Sequence, residues 1–178
     1  VQGKGTFVVE PKIPARSLAY RGIREQLESM GFATKTKLVE FRTEAANHQL
    51  ATVFGVAIGE PLVFAKRLRL VDGKPISLHL SYVPEALAPT LGPDRLEDEQ
   101  LCVILARDFA LAAETVSETL ESTLASTAEA ELLGVGRRFP LLLLADTYKA
   151  ASGRVFEYTK VLFRGDKVKL QFEYGPVR

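Results

Sequence analysis

Short segments of alternating apolar and polar residues run along most of the chain, and this pattern predicts more strands than helices. The clearest segment has two apolar runs, residues 61–71 and 75–83, on either side of an Asp-Gly pair. Asp-Gly between apolar runs is a strong signal for a tight β-hairpin. A second hairpin is predicted from residues 139–151 and 154–163, which flank a Ser-Gly pair.

The other elements are predicted from helical spacing, strand alternation and end signals. Ser126 and Glu129 form a capping-box pattern that opens a short helix, and Gly134 ends it. Residues 84–93 are predicted to form a proline-rich loop with one helical turn. The remaining predicted strands are at 34–43, 115–124 and 167–174, and the remaining predicted helices are at about 18–30, 46–54 and 101–109.

Two stretches of the chain match when they are aligned, which predicts an internal repeat. Gly55 and Gly134 each begin a segment with a Val, five further residues, a Leu and a long strand that leads to a glycine turn. The offset is 79 residues at these glycines and 80 at the turn glycines, Gly73 and Gly153. We therefore predict an α+β fold whose two pseudo-symmetric halves share one antiparallel sheet with flanking helices. A cleft between the halves is the expected ligand site.

Composition limits the class of protein. The chain has 178 residues, of which 47% are hydrophobic, with 23 basic and 22 acidic side chains and one cysteine. These values fit one globular domain or two small ones and exclude a disordered chain. Cys102 alone builds neither a disulfide nor a zinc site, no apolar run is long enough to cross a membrane, and the balanced charge shows no nucleic-acid stripe. We expect a soluble cytoplasmic protein and, because residue 1 is Val1, a piece of a larger one.

The chain has no sequence motif typical of catalysis or of cofactor binding. It has no phosphate-binding loop, dinucleotide fingerprint or nucleophile elbow, and neither His48 nor His79 has a carboxylate at zinc-motif spacing. We therefore predict no metal, no cofactor and no enzymatic activity.

Arg67 and Arg69 are the most informative polar residues, because alternate residues of a strand lie on the same face. Two guanidinium groups side by side suit a phosphate or a carboxylate. The alternative interpretation is a solvated strand face. A three-residue hairpin loop would place Arg67 opposite His79, in a polar cluster, whereas a two-residue loop would place it opposite Leu78.

Glu157 is a further polar residue inside a predicted apolar strand. The Ser-Gly loop of the second hairpin sets it opposite Tyr148, and the repeat brings this hairpin near the one that carries Arg67. A carboxylate and two arginines around one cleft would recognise a ligand that has an anionic end and hydroxyl or amine groups.

The order and spacing of several short motifs resemble one known family over nearly the whole chain. Residues 3–8, Gly-Lys-Gly-Thr-Phe-Val, resemble the end of the wing of a GntR-type winged helix-turn-helix. The rest resembles the UTRA effector-binding domain of the HutC subfamily. The motifs that carry this resemblance are residues 50–61, RLRL at 67–70, DGKP at 72–75, SYVP at 81–84, ELLGV at 131–135, FEYT at 156–159 and RGD at 164–166.

The resemblance implies a bacterial transcription regulator with an N-terminal DNA-binding domain, a linker and a chorismate lyase-like sensor domain that dimerises. It divides this chain into a wing remnant at 1–9, a linker at 10–17 and the UTRA domain at 18–178. The implied partners are a small anionic effector, operator DNA bound through the N-terminal domain, and a second copy of the chain.

The resemblance also implies roles for single residues. In relatives that respond to sugar phosphates the paired arginines hold the phosphate, which by position assigns this role to Arg67 and Arg69. Glu157 matches a glutamate that contacts the polar body of the ligand. Gln100 lies at the start of a helix, where relatives often have a serine that touches the anion and where the helix itself favours anions.

Two departures from the family pattern leave the effector open. His79 and Phe163 stand where sugar-phosphate sensors commonly have a glutamate and a tyrosine, so two hydrogen-bonding partners of a sugar are lost. We therefore predict an anionic effector without assigning it to the amino-sugar phosphates. An enzyme of the chorismate lyase type and a purely structural dimerisation module are the alternatives.

Overall fold

The computed structural model describes residues 12–16 and 27–171, and its centre is one antiparallel sheet. The strands are β1 (Ile13–Arg16), β2 (Thr34–Ala45), β3 (Pro61–Val71), β4 (Lys74–Pro84), β5 (Thr115–Leu124), β6 (Pro140–Lys149), β7 (Val155–Arg164) and β8 (Val168–Gln171). The helices bounded within the described residues are α1 (His48–Phe54), α2 (Leu101–Phe109) and α3 (Thr127–Leu133), with a 3-10 turn at Glu85–Leu87. Six strands form the central sheet in the order β2-β3-β4-β7-β6-β5, and β1 pairs with β8 in parallel.

The hairpin of β3 and β4 shows how local sequence sets the register of the polar residues. Asp72 and Gly73 have positive φ values of 49° and 75°, as a two-residue type I′ turn requires. Ile76 is then an extra residue in β4, and beyond it Arg67 faces His79 across the two strands. The turn therefore has two residues, and the bulge at Ile76 produces the polar register that a three-residue loop would give.

The hairpin of β6 and β7 repeats this arrangement. Phe156 is the extra residue in β7, and Tyr148 faces Glu157, as predicted. Since the two bulges are 80 residues apart, they occupy corresponding positions of the two halves.

The internal repeat predicted from the sequence is present in the sheet. Each half consists of a strand, a short helix and a hairpin: β2, α1, β3 and β4 in the first, and β5, α3, β6 and β7 in the second. The strand order is symmetric about the central β4–β7 pair, in which Leu80 pairs with Lys160. The α+β prediction with two pseudo-symmetric halves is therefore confirmed.

Helices α1 and α3 cover one face of the sheet. Phe54 of α1 packs in a cluster with Leu62 and Tyr158, and Leu133 of α3 packs in a cluster with Leu78. The opposite face carries two further clusters, one around α2 and the other around Leu27. The fold therefore has apolar contacts on both faces of the sheet. Polar residues lie between the cluster around α2 and the cluster around Leu27.

Predictions for the N-terminal segment are tested only in part. Residues 1–9, predicted as a wing remnant, lie outside the described residues, as do most of the predicted helix at 18–30 and the end of the predicted strand at 167–174. Within the predicted linker at 10–17, Ile13–Arg16 form a strand that pairs with β8, so this part of the segment is packed on the domain. No helix in the described part of the chain is long and apolar enough to cross a membrane.

The capping box of α3 gives a first testable prediction. The Ser126 side chain accepts a hydrogen bond from the Glu129 backbone N–H, and the Glu129 carboxylate accepts one from the Ser126 N–H. We expect Ser126→Ala to lower the free energy of unfolding by about 1 kcal/mol, because the Glu129 N–H in the first turn of the helix loses its partner. Urea denaturation measures this, with Ser117→Ala on the exposed surface of β5 as the control. Equal midpoints for the two variants would contradict the prediction.

Candidate functional site

A polar cleft lies on the face of the sheet that carries α2, between the two apolar clusters. Along β3, Ala65 belongs to the cluster of α2 and Val71 to the cluster around Leu27, while Arg67 and Arg69 lie between them. The polar cleft contains about 440 Å³ of space not occupied by protein atoms, its open mouth included. It is lined by Arg67, Arg69, His79, Gln100, Leu101, Cys102, Asp146, Tyr148, Glu157, Thr159 and Val161.

The two arginines are buried, which excludes the solvated strand face considered above. Arg67 is 6% exposed and Arg69 is 5% exposed. Arg67 donates a hydrogen bond from Nη2 to the Ser81 hydroxyl at 2.9 Å, and Arg69 donates one from Nη1 to Thr36 at 2.7 Å. Burial lowers the pKa of the Arg67 guanidinium, and the nearby Glu157 carboxylate opposes this effect. A guanidinium group stays charged in proteins, so two buried positive charges meet in the cleft.

A chain of hydrogen bonds joins Arg67 to Glu157 across the centre of the sheet. The Ser81 and Thr159 hydroxyl oxygens are 2.8 Å apart, and Thr159 donates to Glu157 Oε1 at 2.8 Å. The Thr159 hydroxyl has a single proton, which it donates to Glu157, so Ser81 donates to Thr159 in this chain. Burial raises the pKa of Glu157, whereas the Thr159 hydrogen bond and Arg67 lower it.

His79 lies opposite Arg67 on β4 and is neutral in the cleft. Burial holds its pKa well below the usual value, and the charges of Arg69 and Arg67 lower it further. The ring nitrogen Nε2 lies 3.0 Å from the Ser77 hydroxyl. A neutral imidazole adds hydrogen-bonding capacity to the arginine side of the cleft without a third positive charge.

The start of α2 lines one side of the cleft. Gln100 is the N-cap residue, and its side chain makes no capping hydrogen bond. Leu101 and Cys102, the first two residues of the helix, also line the cleft. Backbone N–H groups in a first helical turn have no partner within the helix, so this end of the cleft favours an anion.

Asp146 and Tyr148 form the side of the cleft that belongs to the second half of the chain. Asp146 is 1% exposed. Burial raises its pKa to about 8, and the carboxylates of Glu118 and Glu157 contribute in the same direction. Burial also raises the pKa of the Tyr148 hydroxyl, so this group is a neutral donor and acceptor.

A protein-family model matches the part of the chain that forms the sheet and the cleft. The UTRA domain model matches residues 29–169, a range that includes every residue of the cleft lining. This chain belongs to the UTRA domain family.

Two relatives of this UTRA domain are named as transcriptional repressors. The chain is 26% identical over 167 residues to the HTH-type transcriptional repressor NagR of Bacillus subtilis, covering 94% of this chain and 68% of that protein. Identity to the HTH-type transcriptional repressor PhnF of Mycolicibacterium smegmatis is 27% over 167 residues, with the same coverage. The chain is therefore a UTRA domain of the GntR/HutC type of transcription regulators, which bind small-molecule effectors, and its role is regulatory and not enzymatic.

Solved structures agree with this assignment. The crystal structure of PhnF from Mycobacterium smegmatis superposes with a TM-score of 0.84 at 25% identity, over 98% of this chain and 77% of that one. The effector domain of PhnF alone gives a TM-score of 0.76 at 24% identity, over 85% of this chain and 93% of that one.

Five of the six predicted site residues line the polar cleft of the UTRA domain: Arg67, Arg69, His79, Gln100 and Glu157. Phe163 does not. It is fully buried in the cluster with Leu27 and Ile76. Its ring meets the His79 ring edge-on, with 6.5 Å between the ring centroids, so in this structure it contacts the site through His79.

Sequence reasoning missed Asp146 as a lining residue. The signal that could have found it is the repeat, since Asp146 stands 79 residues after Arg67, the offset of the paired glycines and the same position of the corresponding strand. An isolated aspartate at the end of the apolar run in β6 therefore lies on the same face as the arginines.

The cleft is built for binding and offers no activated nucleophile. Cys102 lines it, but burial raises the pKa of the thiol to about 11, and Glu157 adds to this shift. A thiol with such a pKa is protonated and unreactive at neutral pH. No group of three metal-ligating side chains occurs in residues 12–16 or 27–171.

Proposed function

We propose that this UTRA domain binds a small anionic effector in the polar cleft, with the anion on Arg67 and Arg69. The observation that carries the proposal is the burial of both guanidinium groups in a cleft with an open mouth. The Arg67 Nε atom is buried without a hydrogen-bond partner among the described residues. A phosphate or carboxylate would satisfy these donors and offset the cost of burying two like charges.

Other groups at the same end of the cleft favour an anion as well. The first residues of α2, Leu101 and Cys102, line the cleft, and the Gln100 side chain makes no capping hydrogen bond. The N-terminus of a helix favours a nearby anion. His79 donates or accepts one hydrogen bond there without bringing an acidic charge. Sugar-phosphate sensors commonly have a glutamate at this position. A neutral imidazole in its place does not repel the oxygen atoms of a bound anion, as a carboxylate would.

Isothermal titration with inorganic phosphate, propyl phosphate and butyrate tests this proposal. We expect at least one of these anions to bind, and the double variant Arg67→Met, Arg69→Met to weaken its binding by about 100-fold or more. The size follows from two charge-assisted hydrogen-bond partners at about 1.5–3 kcal/mol each.

A matched double variant controls for loss of positive charge in general. Arg137 and Arg154 are exposed and do not line the cleft, so Arg137→Met, Arg154→Met should leave the affinity within about threefold, as is usual for a distant surface site. Equal weakening by the two double variants, or no anion binding by the unchanged domain, would overturn the proposal.

Effector binding is proposed to act on operator DNA. The domain acts within a cytoplasmic homodimer whose N-terminal domains bind the operator, and the bound anion lowers the affinity for DNA. An effector shifts this affinity only if it binds the DNA-competent and DNA-incompetent arrangements unequally. Operator binding by the full-length regulator, measured by fluorescence anisotropy with and without the anion that titrates, tests this step, and an unchanged operator affinity would contradict it.

A further inference from the structure

Two carboxyl oxygens in the polar cleft have no partner in the described structure. Asp146 Oδ1 and Glu157 Oε2 are buried and accept no hydrogen bond. Asp146 is 1% exposed and Glu157 is 3% exposed, and both line the cleft. Buried polar atoms are almost always paired in native proteins, so two unpaired acceptors in one cleft indicate a partner that comes from outside the chain.

The strand neighbours of Asp146 do not offset the cost of burying its carboxyl group. Its neighbour across β5 and β6 is Glu118, another acid, and its neighbour across β6 and β7 is Thr159, which hydrogen-bonds to Ser81 and Glu157. The interactions that shift its pKa are burial, Glu118 and Glu157, all of which oppose ionisation. A structural aspartate would be expected to have a basic or N–H partner, and this side chain has none among residues 12–16 and 27–171.

We propose that Asp146, together with Glu157, binds a protonated nitrogen of the effector, which is therefore a zwitterion whose anionic group lies on Arg67 and Arg69. This inference rests on the proposed function, because it uses the same cleft and the same position for the anion. It adds Asp146 as a recognition residue and narrows the effectors to molecules that carry both charges.

The cleft is narrow enough for one small molecule to reach both sides. Only three hydrogen bonds separate the Arg67 guanidinium from the Glu157 carboxylate, by way of Ser81 and Thr159. Asp146 pairs with Thr159 across β6 and β7 and lies on the same face of the sheet. One small molecule can therefore contact the arginines and the two carboxyl groups at the same time.

Matched pairs of small probes test the second charge separately from the first. Propyl phosphate and 3-aminopropyl phosphate differ by one ammonium group, as do butyrate and 4-aminobutyrate. We expect the aminated member of at least one pair to bind about 10-fold tighter or more in isothermal titration at pH 8. 3-Hydroxypropyl phosphate is the third arm, since a hydroxyl donates hydrogen bonds without a positive charge, and its affinity should stay close to that of propyl phosphate.

The variant Asp146→Asn assigns the preference to this side chain. It keeps the shape of the side chain and removes the negative charge, so we expect the ratio between the affinities for the aminated and the plain probe to fall to about 1. Asp94→Asn is the matched control, because Asp94 is exposed and does not line the cleft, and it should keep the full ratio.

The outcomes separate the two proposals. Plain anions that bind as well as their aminated partners would overturn the zwitterion inference and leave the anion site standing. A hydroxylated probe as tight as the aminated one, or a preference that survives in Asp146→Asn, would overturn it too. Failure of every probe, plain and aminated, to bind the unchanged domain would overturn the proposed function and this inference together.

Discussion

Replacing Phe163 with alanine is expected to lower the free energy of unfolding by about 3–5 kcal/mol, the usual cost of removing a buried phenyl ring. The ring is fully buried in β7, in one cluster with Leu27, Val71 and Ile76. Its removal would leave a cavity among these side chains. Urea denaturation followed by circular dichroism measures the loss. Such a value is a large part of the stability of a domain of this size.

Two further measurements connect this result to the site. Leu120→Ala is the control for a large apolar side chain that is 44% exposed, and it should cost less than about 1 kcal/mol. Phe163→Leu keeps most of the apolar volume, so it should fold and retain anion binding. A Phe163→Ala variant of unchanged stability but reduced anion affinity would show that the ring contacts ligand and does not support the core.

Replacing Asp146 with asparagine is expected to stabilise the ligand-free domain, and more so as the pH rises. The folded-state pKa of Asp146 is raised from 3.8 to about 8, so between these values the folded state holds a proton that the unfolded state has lost. The contribution of Asp146 to the free energy of unfolding is therefore fully present at low pH, and it is lost as the pH rises from about 4 to about 8. Asparagine does not ionise. The free energy of unfolding of the variant, relative to that of the unchanged domain, should therefore rise by up to about 1.4 kcal/mol per pH unit and reach a few kcal/mol.

Thermal unfolding at pH 5 and at pH 8 tests this expectation, with Asp94→Asn as the control. The acidic groups that act on Asp146 are Glu118 from β5 and Glu157 from β7, both of which favour its protonated form, and Tyr148 on its own strand is neutral. The difference in melting temperature between Asp146→Asn and the unchanged domain should thus be larger at pH 8. The same difference at both pH values would show that Asp146 ionises normally in the folded state.

Sequence patterns were sufficient for the elements and for the repeat because both depend on local signals. Apolar runs, the Asp-Gly and Ser-Gly turns and the capping box each act within about ten residues, and the strands and helices between residues 34 and 164 lie where these signals predict them. The register could be narrowed only to two alternatives. A two-residue turn with a bulge at Ile76 gives the pairing of a three-residue loop, and turn residues alone do not distinguish them.

Local sequence patterns did not predict that the site is buried. Arg67 and Arg69 look like exposed strand residues in sequence. They are buried because α2, which begins 32 residues after Arg69, covers that face of the sheet. Strand alternation places Phe163 on the same face as the cleft but does not show where along the strand the cleft ends. Asp146 was missed because a lone aspartate after an apolar run resembles a strand end until the repeat is used to align it with Arg67.

The relation between the two halves also gives the cleft a direction. A symmetric pair of identical halves would present the same side chains on both sides of the β4–β7 seam, and such a cavity holds an unsymmetrical molecule equally well in either of two orientations. With both halves on one chain, Arg67 and Arg69 in the first correspond to Asp146 and Tyr148 in the second. The cavity is therefore polarised, and an effector with distinct ends would enter in a single orientation and act on the two halves differently.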